Sequence, residues 1–200
     1  MPKNPGKVFE RRFKECTPKY CLMIRLKDNP TAYDPNYSFS TNNPCDYICY
    51  DTIHKILVPM ELKSTKARKM NMSMIRDNQM KGLTDFAKYD NVYPCFIFNF
   101  RDELKHNDRC YCMHICDYNE MVRVLDKHSF NEDDILEYGG MSIDGTKART
   151  RWTWDVDGML CDIADFINGV CDESADDDDD DEESAEENVT DESDEDESED

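Results

Sequence analysis

The last thirty residues, Cys171 to Asp200, hold 20 Asp and Glu and no Lys or Arg. A stretch this charged and this poor in apolar side chains cannot bury enough surface to offset its ordering entropy, so it is expected to be a disordered acidic tail. Whatever folds must fold from the rest. Of the chain's 45 acidic residues, those 20 leave 25 for residues 1–170, against all 24 Lys and Arg. The body is therefore near neutral, and the net charge of −21 belongs to the tail. At this length the body fits one domain able to bury a core without covalent staples. No segment is apolar over the length of a membrane span, and the first residues, "MPKNPGKVFERRFKE", carry no apolar export signal. The ten cysteines therefore read as reduced intracellular thiols.

Within the body, Gly6 to Cys16 reads as a helix with Val8, Phe9 and Phe13 on its apolar side and Glu10 beside it. Residues 28–44 are polar and proline-bearing, and read as a long loop or stalk-like protrusion. "CDYICYDTIHKILVPMELK" reads as a β-hairpin. Pairing Asp51 with Ile56 across Thr52 to Lys55 puts Asp46 opposite Glu61. Lys63 shares their face, and Tyr47, Cys49, Val58, Met60 and Leu62 form the other, apolar face. Pro59 is expected to make the strand irregular or bulged. "MIRDNQMKGLTDFAKY" reads as a helix with Ile75, Leu83 and Phe86 toward the core. "VYPCFIFNF" and "RCYCMHICDY" read as strands, and "MVRVLDKH" as a short helix. "TKARTRWTWDV" reads as one strand, with Lys147, Arg149 and Arg151 on one face and Trp152 and Trp154 on the other. "GMLCDIADFI" reads as a closing helix. The expected fold class is α/β.

Two carboxylates facing each other across a hairpin, with a lysine one step along, suit a hard divalent cation acting on a phosphate. Mg²⁺ is held by one or two carboxylates plus water and substrate oxygens. The Leu62 carbonyl is a further donor. The lysine offsets charge on the phosphate or orients the attacking water. The same residues also suit a solvated strand edge with one cross-strand charge pair, and the Glu-x-Lys triplet alone does not separate the two. "CYCMHIC" sets Cys110, Cys112, His114 and Cys116 along one strand face. Four ligands spread over about 20 Å of extended chain cannot surround one tetrahedral zinc, so these read as core residues.

The succession "CDYICYD…VPMELKSTK", a helix bearing "DNQMKGL", and "YPCFIFNF", preceded by "GKVFE", resembles the recombination protein U family of Holliday-junction resolvases. These are nucleases of the PD-(D/E)xK superfamily, also called penicillin-binding-protein-related factor A. The likeness runs from about Gly6 to about Tyr118. It implies a restriction-endonuclease-like core, a mixed central β-sheet flanked by helices. It also implies Asp46, Glu61, Lys63, Glu10 and Gln79 as the catalytic set, with Asp46, Glu61 and the Leu62 carbonyl on Mg²⁺ or Mn²⁺. Asn78 stands where that family often has histidine. The resemblance further implies a homodimer that nicks a four-way DNA junction symmetrically, in a bacterial cytoplasm or a phage-infected host. DNA contacts are expected to be phosphate-dominated, with Lys66, Arg68, Lys69, Arg11, Arg12, Lys147, Arg149 and Arg151 as candidates. The acidic tail is expected to contact the chain's own DNA cleft or a basic partner, or to act only as a solubiliser. A nuclease of this type acting on duplex or damaged DNA, and a non-catalytic binding module of the same fold, are the alternatives.

Overall fold

The computed structural model describes residues 4–26, 43–102, 107–149 and 151–174, the last five as helix backbone only. Residues 28–42 of the expected protrusion and residues 175–200 of the expected tail lie outside the described residues.

The chain opens with helix α1 (Pro5–Glu15), started by the Asn4 side chain, which accepts from Gly6 N–H at 3.0 Å, and by a proline in its first turn. Strands β1 (Cys21–Arg25), β2 (Tyr47–Asp51) and β3 (Ile56–Thr65) follow, then a short β4 (Met70–Asn71) and a 3₁₀ turn at Met72–Met74. Helix α2 (Asp77–Phe86) leads to β5 (Cys95–Phe100) and β6 (Arg109–His114). Next come α3 (Ile115–Val124), β7 (Ser129–Phe130), α4 (Glu132–Glu137), β8 (Met141–Ile143), β9 (Gly145–Ala148), β10 (Arg151–Trp154) and α5 (Val156–Ser174). Four residues read from sequence as the start of the tail thus lie in α5.

One six-stranded sheet, ordered β1-β2-β3-β5-β6-β8, forms the centre. All its pairings are antiparallel except β3 with β5, and α2 lies in the connection that this parallel pair requires. This is a mixed α/β fold with helices on both faces. The central strand β5 is buried along its whole length, which is why "CFIFNF" carries no polar alternation. Its Cys95 and Ile97 face α1 and α5 in a core that includes Phe9, Phe13, Val58, Met60, Leu160 and Ile163. Its Phe96, Phe98 and Phe100 face α2, α3 and α4 in a second core with Leu83, Tyr118, Met121 and Phe130. Each such large side chain removed from water stabilises the fold by about 1.5–3 kcal/mol.

The hairpin register is the one counted from sequence, with Asp51 paired to Ile56 and Tyr47 to Met60. Asp51 is fully buried at the turn, where it accepts from the N–H of Ile53 and His54 and from the His54 ring. Burial pushes its carboxyl up, but these three bonds outweigh it and hold the acid below its ordinary range. The expected bulge at Pro59 is absent. Pro59 pairs with Ile48 in an unbroken β2–β3 ladder. Its missing N–H falls on the other edge, between the Leu57–Val92 bridge and the Met60–Cys95 pair.

Three further expectations are corrected. "RCYCMHICDY" is a strand only to His114; from Ile115 it is α3, which also absorbs the "MVRV" of the expected separate helix. Cys110 and Cys112 are buried in the first core, His114 packs on Tyr93 with ring centroids 4.7 Å apart, and Cys116 lies on α3. Finally, "TKARTRWTWDV" is a hairpin, not a strand, with Lys147 opposite Trp152 and Gly145 opposite Trp154. Lys147 therefore shares a face with both tryptophans, Arg149 sits in the turn, and Arg151 projects to the other face.

Candidate active site

Asp46 is the residue immediately before β2, just beyond the last β2–β3 pair. Its backbone N–H donates to the Met60 carbonyl at 3.1 Å, and its Oδ2 accepts from the Leu62 N–H at 3.0 Å. Because N–H and C=O of one strand residue point to the same edge, the Leu62 carbonyl also points past the end of β2, to Asp46. Glu61 and Lys63 alternate with Leu62 and project to the face covered by α2. Lys63 Nζ lies 2.9 Å from Glu61 Oε1.

Gln79, in the first turn of α2, ties the two together. Its Nε2 donates to Glu61 Oε1, while its Oε1 accepts from Lys63 Nζ and from the Arg76 N–H, each at 3.0 Å. The middle of α2 is held against the segment leading into Asp46. A Cβ at Gly82 would lie 2.6 Å from Pro44 Cα and 2.8 Å from its carbonyl oxygen, so glycine is what permits this approach.

Glu61 is 2% exposed, and its carboxyl is pushed up to about 7 by burial and then by Asp46, with Lys63 opposing. Glu10 reaches the same neighbourhood from α1. Burial and the Asp46 charge raise its carboxyl, and Arg25 at 3.2 Å counters them. The structure thus brings Asp46, Glu61, the Leu62 carbonyl, Lys63 and Gln79 together, with Glu10 at their margin. Two like charges meeting in a buried setting with a single lysine to offset them form a donor set suited to a divalent cation. Among the described residues, no group of three or more His, Cys, Asp and Glu side chains forms a metal-holding cluster. A hard cation that keeps its waters needs no such cluster.

The basic candidates divide. Lys66, Arg68 and Lys69 are exposed on the bends between β3 and β4. Arg11 points outward and pairs with Glu15 at 3.7 Å. Arg12, about 100° around the helix, instead lines a groove of about 660 Å³ together with Lys147, Arg149 and Arg151. Sequence reasoning missed a bonded polar trio at this groove, which lies on the sheet face opposite Glu61 and Lys63. Ser64 Oγ donates to Asn99 Oδ1 at 2.9 Å and accepts from Arg101 Nε at 3.1 Å. Asn99 and Arg101 line the groove, and Ser64 directly follows Lys63. Only the parallel β3–β5 register, which sets Ser64 beside Asn99, brings these residues together.

The chain is similar to the SPbeta prophage-derived uncharacterized protein YotM of Bacillus subtilis (strain 168), with 32% identity over 128 residues, 62% of this chain. The match spans 63% of that protein's length. No family model matches the chain. Among solved structures it is similar to Hjc of Archaeoglobus fulgidus, a Holliday junction resolvase from an archaeal hyperthermophile. The TM-score is 0.42 and the identity 14%, over 68% of this chain and 95% of that one. No helix among the described residues is long and apolar enough to cross a membrane.

Proposed function

We propose that this chain is a divalent-metal-dependent DNA endonuclease of the PD-(D/E)xK type that resolves four-way junctions by paired nicks. One observation carries the reading: the side chains of Asp46, just before β2, of Glu61 and Lys63 on β3, and of Gln79 on α2 converge on one half-buried point. A solvated strand edge does not bury a glutamate to 2% exposure against a second carboxylate.

In this reading Asp46, Glu61 and the Leu62 carbonyl hold Mg²⁺ or Mn²⁺. When bound, the cation polarises a phosphoryl oxygen and lowers the pKa of a coordinated water. Lys63 sets its ammonium against the scissile phosphate and offsets the charge that develops there. Gln79 keeps Glu61 and Lys63 in register, and Glu10 orders the margin through Arg25. Lys66, Arg68, Lys69, Arg12, Lys147, Arg149 and Arg151 contact phosphates. Two copies acting on opposite strands complete the reaction, and residues 28–44 are the proposed protrusion into the junction. The prophage origin of one relative fits action in a bacterial cytoplasm.

The test incubates the protein with a synthetic four-way junction and with linear duplex, with and without Mg²⁺. Symmetric paired nicks in the junction are expected. Cutting of linear duplex alone would move the reading to another nuclease of this type. Binding without cutting in either Mg²⁺ or Mn²⁺ would replace it with a binding module.

A further inference from the structure

The β9–β10 hairpin carries a feature that phosphate binding does not use. Trp154 is buried and meets Phe9 edge-on, with ring centroids 6.4 Å apart and planes at 82°. Trp152 stacks on Trp154 at 5.6 Å with planes 12° apart. Opposite them, a Cβ at Gly145 would lie 2.5 Å from the Trp154 ring, so its absence lets the indole lie against the strand. Trp154 is thus an anchor in the core, and Trp152 is a half-buried indole held flat upon it. Trp152 lines the groove with Arg12, Lys147, Arg149 and Arg151, and with two carboxylates, Asp102 and Asp108. A volume of about 660 Å³ falls in the range that takes a drug-sized molecule. That is room for about one or two nucleotides and too little for a duplex.

We infer that this groove is a seat for unpaired nucleotides, in which a base stacks on Trp152 while Arg12 and Lys147 hold the flanking phosphates. A rigid aromatic platform inside a cationic groove is how single strands are gripped without sequence reading. The groove lies on the α1 side of the sheet, where Asn99 and Arg101, both bonded to Ser64, line it, and Glu61 and Lys63 project to the opposite face. The inference rests on side chains other than the metal-binding carboxylates, and goes beyond the nuclease reading.

The chain has only two tryptophans, and both are in this hairpin, so selectively excited tryptophan fluorescence reports on the hairpin. The full-length protein is titrated with oligo(dT) and with blunt duplex in excess chelator, where no cleavage occurs. Quenching by oligo(dT) is expected, with affinity falling as salt rises by a slope of about 0.7 per phosphate contact. Trp152→Ala is expected to weaken oligo(dT) binding about tenfold or more and leave duplex binding within about twofold. Trp152→Phe, which keeps a ring, is expected to retain most of the oligo(dT) affinity and controls for folding. Absence of quenching, equal oligo(dT) affinity in Trp152→Ala and the parent, or equal losses for oligo(dT) and duplex would each overturn the inference. Quenching in a protein that never cleaves would leave this inference standing and sink the nuclease reading alone.

Discussion

Asp46 and Leu62 are joined side chain to backbone: the Asp46 carboxylate accepts the Leu62 N–H at 3.0 Å, at the point where β2 has ended and β3 runs on. That bond fills a donor left open by the end of the ladder. It also seats an acid against the strand that carries Glu61 and Lys63. Strand geometry places Glu61 and Lys63, and this bond fixes Asp46 beside them.

In the proposed reading Gln79 is a positioning residue. Its amide bonds both Glu61 and Lys63 and also closes the first turn of α2 on Arg76. Gln79→Ala is expected to lower kcat for junction cleavage about 10- to 100-fold, the usual cost of losing an outer partner of a metal site. KM should change little, and thermal unfolding should show whether the loss is structural. A fall in Tm large enough to leave the protein partly unfolded at the assay temperature, or a change confined to KM, would contradict the assignment.

Glu61 gives a signed pH dependence. Its folded carboxyl titrates at about 7, above its ordinary value of 4.5. The folded state then binds the proton more tightly than the unfolded chain, so ionising Glu61 opposes folding. The penalty is absent below about pH 4.5, grows through the window to pH 7 and is full above it, at roughly 2–4 kcal/mol. Measured by denaturant unfolding in chelator, the stability of the parent relative to Glu61→Gln is expected to fall as pH rises from about 5 to 8. A difference that is flat, or that grows with pH, would contradict the burial argument.

Gly82 lets α2 pack against the segment that leads into Asp46. Gly82→Ala drives a methyl into the Pro44 backbone, which has no flexible end to yield. A loss of about 1–3 kcal/mol is expected by the cost of overpacking. Cleavage should fall further than stability alone explains, because the displaced segment carries Asp46. Unchanged Tm and unchanged cleavage together would show that the contact is slack.

Much of this arrangement is legible in the sequence. The hairpin register follows from a short turn and a side-chain period of two, so counting from Asp51 and Ile56 gives the paired run to Tyr47 and Met60, next to which Asp46 lies. The resemblance brought in Gln79, which lies on α2 within bonding reach of both Glu61 and Lys63. What sequence hid has local causes. The turn between β9 and β10 includes Arg149 and has no glycine, proline or asparagine, so one alternating run concealed a hairpin. The break between β6 and α3 falls at His114, whose ring accepts from Cys116 N–H at 3.3 Å as an N-cap; histidine is not among the usual caps. The Ser64–Asn99–Arg101 bonds span 35 and 37 positions and depend on a parallel register that no turn fixes.

The most direct test of the central claim is single-turnover cleavage of a labelled four-way junction in Mg²⁺ by the parent chain and by Glu61→Gln. The account predicts paired symmetric nicks by the parent, none above background by Glu61→Gln, and junction binding retained by both. A Glu61→Gln protein that cleaves at the parent's rate, or a parent that binds the junction and never cuts it in Mg²⁺ or Mn²⁺, would contradict it.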